Sequence, residues 1–204
     1  MQRSMELPLS DFTLFGSSID TFHIDITVPD SMLIALAVYL IAYLFFYHKY
    51  SRHKKRQLCY IYLYAGALIA LTAMPLYLPH SIATTLQQLP YEVSCIQYQP
   101  FASIRSMWFN ANYSGQYRLM LYNLLGNLLL LAPLAYLYPN YKGRVSALKM
   151  LWVATRFALC IELYQLIGNV FGFCARDVNI DDIILNIIGC MVAFGICKLC
   201  KWIK

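Results

Sequence analysis

The chain has 204 residues, 60% of them hydrophobic and 13% charged, with a net charge of +6 and a mean hydropathy of +0.53. That balance is too apolar for a water-soluble domain of this length, and it points to an integral membrane protein. The positive charge implies no nucleic acid, because juxtamembrane cations facing anionic lipid headgroups account for it.

Residues 1–30 hold one basic side chain, Arg3, against Glu6, Asp11, Asp20, Asp25 and Asp30. A secretory signal has a basic start, a short apolar core and a small-residue cleavage site. The acidic lead-in instead predicts an external N-terminal segment followed by an uncleaved helix. Crossing a hydrocarbon core about 30 Å thick takes about 20 apolar residues, and five windows approach that length: 31–47, 58–77, 119–138, 150–170 and 182–199. The expected fold is an all-α, polytopic transmembrane helix bundle of about five spans. Residues 31–94 hold two spans and the start of an external loop, and 95–200 form a membrane domain. Between spans two and three, SIATTLQQLPYEVSCIQYQPFASIRSMWFN is semi-apolar and proline-interrupted, so it is expected to be interfacial or re-entrant.

Basic residues set the orientation. Lys49, Arg52, Lys54, Lys55 and Arg56 follow the first span, Lys142, Arg144 and Lys149 follow the third, and Lys198, Lys201 and Lys204 close the chain. Under the positive-inside rule these connections are cytoplasmic, which places the chain in the cell membrane with its N-terminus outside and its C-terminus inside. Cys95 and Cys174 then lie outside, where a disulfide is open to them. The remaining cysteines, Cys59, Cys160, Cys190, Cys197 and Cys200, read as small buried hydrophobes. Tyr39, Tyr43, Tyr47 and Tyr50 form a helical stripe that reads as packing.

Three spans each carry one polar stripe: Asn123, Gly126 and Asn127; Glu162, Gln165 and Asn169; Asp182, Asn186 and Gly189. Spacings of three, four and seven put each set on one helix face, and such faces turn toward one another and away from lipid. At about 1.5 Å per residue, Asn123, Asn127, Glu162, Gln165, Asp182 and Asn186 all fall within about 12 Å of the external boundary. Glu162 is the most informative of them. An intramembrane carboxylate costs about 3 kcal/mol on insertion scales, so it must be protonated, paired or water-exposed. Arg176, in the external connection, is its expected partner; Arg156 reads as snorkelling to the inner interface. Asp181 and Asp182 open the last helix, where they read either as caps on its N-terminus or as members of the polar site. Gly126 and Gly189 are expected to allow close helix approach, and Pro133 to kink the third span.

In spacing, YNLLGNLLLLAPLAYLYP at 122–139 resembles the N-x-x-G-N…P-x-G segment of the VanZ-like family. IELYQLIGNVFGFCARDVNIDDIILNIIG at 161–189 resembles its E-x-x-Q…R-D…D-D-x-x-x-N-x-x-G segment, and YQPFASI at 98–104 its Asn-Leu-x-Pro-Phe stretch. The pattern lands on Pro100, Phe101, Asn123, Gly126, Asn127, Pro133, Glu162, Gln165, Arg176, Asp181, Asp182, Asn186 and Gly189. Two departures, Leu131 where an aromatic is usual and Ala135 where glycine is, touch the packing of the third span. The resemblance implies a polytopic protein whose family is associated with resistance to teicoplanin, a lipoglycopeptide, and it implies no agreed chemistry.

Three functions fit these residues. The first is an outer-leaflet polar pocket that binds an amphiphile, either a membrane lipid, a lipid-linked wall precursor or a lipoglycopeptide, with Arg176 on its rim. The second is an enzyme acting on a lipid headgroup, with Glu162 or Asp182 as acid or base and Arg176 stabilising developing negative charge. The third is a small transporter. No nucleophile stands beside a base in any stripe, and no strong metal motif is present; a divalent cation between the carboxylates is a weak further expectation.

Overall fold

A computed structural model describes residues 23–24, 28–47, 49–73, 76–77, 96–171 and 178–203. Arg176, Cys95 and Cys174 lie outside the described residues, and with them the expected Glu162–Arg176 pair and the disulfide. The described fold is helical apart from one short antiparallel ladder, β1 (His23–Ile24) against β2 (Leu76–Tyr77), in which His23 pairs with Tyr77 and Ile24 with Leu76. Its helices are α1 (Val28–Ala42), continued by a π-helical turn over Tyr43–Tyr47, and α2 (Arg52–Ala73). After them come α3 (Ala102–Ser114), α4 (Tyr117–Leu130), α5 (Ala132–Lys142), α6 (Ala147–Val170) and α7 (Ile180–Leu199).

Among the described residues, four stretches are long and apolar enough to cross a membrane: Val28–Tyr47, Tyr117–Lys142, Ala147–Val170 and Ile180–Leu199. They turn large apolar side chains outward, among them Leu33, Phe45, Leu129, Leu163 and Val192, a surface that suits lipid and not water. The remaining expected span is α2, 22 residues long, whose basic first turns and Tyr60, Tyr62 and Tyr64 dilute its apolar character. It ends at Ala73 and not at residue 77, since Leu76–Tyr77 leave the helix to form β2.

Packing holds α2 in place. The tyrosine stripe of α1 is the contact surface: the Tyr39 hydroxyl donates to the Lys55 carbonyl at 2.8 Å, its ring meets Tyr62 edge-on at 5.7 Å, and the Tyr47 and Tyr62 hydroxyls lie 3.2 Å apart. On its other side α2 packs against α5 and α6.

The third expected span is broken at Leu131 into α4 and α5. Pro133 sits in the first turn of α5, where its missing N–H is tolerated, but it cannot carry the α4 ladder onward. The chain tightens there, with Leu134 N–H donating to the Leu131 carbonyl at 3.1 Å. The freed Leu130 carbonyl accepts from the Tyr64 hydroxyl of α2 at 2.9 Å. An unpaired carbonyl in hydrocarbon costs several kcal/mol, so this bond is what makes the break tolerable at membrane depth.

The main buried core lies around α5, the first half of α6 and the second half of α7, where Leu131, Ala135, Met150, Ala154, Ala158 and Cys190 are completely buried. The unusual Leu131 and Ala135 both belong to this core. Of the cysteines, Cys190 and Cys197 are buried as expected, whereas Cys160 and Cys200 are exposed, because they face away from the neighbouring helices. Helix α7 packs against α4, α5 and α6. At Gly189 an added Cβ would run into the Leu128 carbonyl oxygen, so only glycine permits the observed approach of α4 and α7. Gly126 corrects its expectation: no atom lies within 4 Å of a Cβ built there, and it borders open space instead.

The expected interfacial or re-entrant segment contains α3. Its 13 residues extend about 20 Å, too short to span. Gly115, at φ 74°, turns the chain within two residues into α4, and α3 packs back against α4 as a helical hairpin.

Candidate functional site

The site is assembled around the start of α7. Asn179 caps that helix, its side chain accepting from Asp181 N–H at 3.0 Å. Just before it the chain is extended and pairs with Gln97: Gln97 N–H donates to the Val178 carbonyl and Ile180 N–H to the Gln97 carbonyl, both at 3.0 Å. This parallel bridge brings the segment leading to α3 against the segment leading to α7.

Asp181, completely buried, fastens the two together. Its carboxylate accepts from the backbone N–H groups of Phe101, of Ser103 at 3.0 Å and of Ile104 at 3.1 Å. These are orphan donors at the start of α3, where a negative charge also meets the favourable end of the helix dipole. Both readings of Asp181 are thereby corrected. It caps α3 and not its own helix, and it is not among the residues that line the cavity. Pro100 and Phe101 act through the same turn: Phe101 takes a left-handed conformation at φ 64° with its side chain exposed, which presents its N–H to Asp181.

Glu162, 5% exposed, is met by a backbone donor. One carboxylate oxygen accepts from the backbone N–H of Asn179 at 3.0 Å, tying the middle of α6 to the start of α7. One turn further along α6, Gln165 donates to the Thr72 carbonyl at the end of α2 at 3.4 Å. Asn123 on α4 lies 3.9 Å from the Met107 sulfur of α3, a loose contact.

These residues line one cavity of about 720 Å³. Asn123, Gly126 and Asn127 enter from α4, Glu162 and Gln165 from α6, and Asp182 and Asn186 from α7. The three polar stripes therefore converge, as their spacing implies. Asn169, the last member of the α6 stripe, does not line the cavity, and Gly189 and Pro133 support it from outside through helix approach and the break. Arg156 lies apart, bordering a shallow depression with Lys149 and Trp152.

Sequence reasoning missed three contributors, Thr72 of α2 and Ser103 and Met107 of α3. Thr72 participates through its carbonyl, which no side-chain pattern reveals. Asn179 was also missed, although an asparagine directly before an acidic first turn is a capping signal.

Asn186 is the distinctive wall residue. It is 1% exposed, and its Oδ1 has no hydrogen-bond partner among the described residues. Buried polar atoms are nearly always paired, so this acceptor needs an explanation. Chemically, the wall is rich in oxygen acceptors, with two carboxylates and several amides. No group of three or more His, Cys, Asp and Glu placed to hold a metal occurs among the described residues.

A second, apolar groove of about 470 Å³ runs between α2 and α4, lined by Tyr64, Leu68, Leu125, Leu129 and Pro133 among others. It shares Leu71, Tyr122, Gly126 and Leu130 with the polar cavity, so the two spaces adjoin.

No curated protein and no solved structure matches the chain. The VanZ/LLP1 family model matches residues 61–201, from within α2 to the end of α7, and so covers every helix that lines the cavity. With its apolar helices and this match over most of its length, the chain is a multi-pass membrane protein that belongs to the VanZ/LLP1 family.

Proposed function

We propose that this protein binds an amphiphile, its head group in the polar cavity and a hydrocarbon chain in the groove between α2 and α4. The observation that carries this reading is the shared wall of Leu71, Tyr122, Gly126 and Leu130, which sets a polar chamber directly beside an apolar channel. Both volumes lie within the range of small-molecule sites, roughly 300–1,000 Å³. A tail leaving the bilayer for the groove gains little, because lipid chains are as apolar as the groove wall. Selectivity therefore resides in the head group and the polar wall. The positive-inside pattern puts the cavity toward the outer leaflet. There the ligand is a membrane lipid, a lipid-linked wall precursor or a lipoglycopeptide such as teicoplanin, and the consequence of binding is protection of the envelope.

A photo-cross-linking residue placed at Leu125 in the groove should capture lipid, and the outward-facing position Leu163 serves as the reference. Capture at Leu125 should fall in Glu162→Gln and Asn127→Ala while the amount of protein in the membrane is retained, and teicoplanin survival of expressing cells should fall with it. Capture no greater than at Leu163, and unaffected by both substitutions, rules the reading out. Mass spectrometry of the captured lipid gives a further check, since a chemically altered lipid would favour a lipid-headgroup enzyme.

A further inference from the structure

We infer that the head group this cavity selects carries a primary ammonium, whose N–H donors meet Asn186 Oδ1 and the carboxylates of Glu162 and Asp182. The inference rests on the amphiphile reading and adds the chemistry of the head. Asn186 Oδ1 is a buried acceptor without a partner among the described residues, and it lines the same space as Glu162 and Asp182. Asp182 and Asn186 are one turn apart on α7, with Cβ atoms about 5–6 Å apart, and so project together. Glu162 faces them from α6, held by the Asn179 N–H, and a carboxylate so engaged still has lone pairs for another donor.

Three acceptor side chains from two helices thus meet in one chamber, and no Lys, Arg or His occurs among the described residues that line it. An anionic group would set its charge against the carboxylates of Glu162 and Asp182. A quaternary ammonium carries the right charge but has no N–H to offer Asn186. A primary ammonium has three donors and no acceptor, which complements the wall. Such a group occurs on ethanolamine-type lipids and on soluble amines, and the two sources are separable by experiment.

The test uses full-length protein in nanodiscs or detergent, titrated with phosphatidylethanolamine, phosphatidylcholine and phosphatidylglycerol of identical chains and read by native mass spectrometry. Phosphatidylethanolamine should be retained about tenfold over both others, the ratio that one charge-assisted hydrogen bond supports. Asn186→Leu should reduce that ratio to below about twofold with an unchanged or raised melting temperature, because a buried unpaired acceptor is removed. Asn186→Asp, of nearly the same shape, should raise the ratio and provides the readout if the leucine variant fails to fold. Displacement by millimolar ethanolamine supports the ammonium chemistry and assigns it to a soluble amine, whereas resistance to displacement assigns it to lipid. Equal retention of all three lipids by the parent protein, as when an ordered water satisfies Asn186, overturns the inference, and so does a preference for phosphatidylglycerol. If cross-linking at Leu125 persists in that event, the amphiphile reading stands and only the choice of head group falls.

Discussion

Replacing Asp181 by alanine should undock α3. The carboxylate accepts from three backbone N–H groups, those of Phe101, Ser103 and Ile104, across about eighty residues of sequence. Hydrogen bonds to a charged group contribute about 1.5–3 kcal/mol each. Their simple sum overstates the loss, because the released amides at the start of a short helix can find water. A cost of about 3–5 kcal/mol is therefore expected, in the range for breaking a buried charged contact. For a chain of this size each kcal/mol moves the melting temperature by about 2–4 °C, so the shift should be about 6–20 °C. Asp181→Asn keeps one acceptor oxygen and should lose about half as much. The assays are thermal unfolding in detergent and the rate of maleimide labelling at Ser103→Cys, which should rise sharply once α3 is released. A melting temperature within 2 °C of the parent, with labelling still slow, would refute the view that this side chain fastens the hairpin.

The two glycines of the α4 and α7 stripes should respond oppositely. Gly189→Ala drives a Cβ into the Leu128 backbone carbonyl and should cost at least about 1–3 kcal/mol, seen as a lowered melting temperature. Gly126→Ala meets open space and should stay within about 0.5 kcal/mol of the parent, yet reduce lipid capture at Leu125 by narrowing the junction of cavity and groove. Equal melting of both variants would contradict the assigned contacts. Tyr64→Phe removes the donor to the Leu130 carbonyl and should cost about 1–3 kcal/mol, the penalty for an acceptor left unpaired; unaltered thermal stability would show that the break is satisfied by other means.

Much of the site was legible because helical periodicity is a strong signal in a membrane. Polar residues at spacings of three, four and seven have few tolerable directions, so the sequence alone directs Asn123, Asn127, Glu162, Gln165, Asp182 and Asn186 to one chamber. The break in the third span was foreshadowed by Pro133, though not its repair by Tyr64, which depends on which helix happens to pack alongside. Asp181 and Glu162 stand out in the sequence as important acids, whereas the backbone groups that meet them do not. Both are answered by backbone amides, of Phe101, Ser103 and Ile104 in one case and of Asn179 in the other. Every residue carries such an amide, so sequence cannot distinguish the ones used. The end of α2 was misplaced because Leu76 and Tyr77 are as apolar as a helix interior while the chain there is already paired with His23 and Ile24.

The interruption at Leu131 also divides tasks along the molecule. Beyond it, Ala135, Met150, Ala154 and Cys190 interlock with no exposed surface, and the opposite end, toward Asn123 and Asp182, is hollow. Hydrogen exchange should consequently be slowest in the solid end and fastest around the chamber mouth. Evolution can then retune what the mouth accepts by exchanging a few wall residues, while the anchor that keeps the protein assembled is left alone.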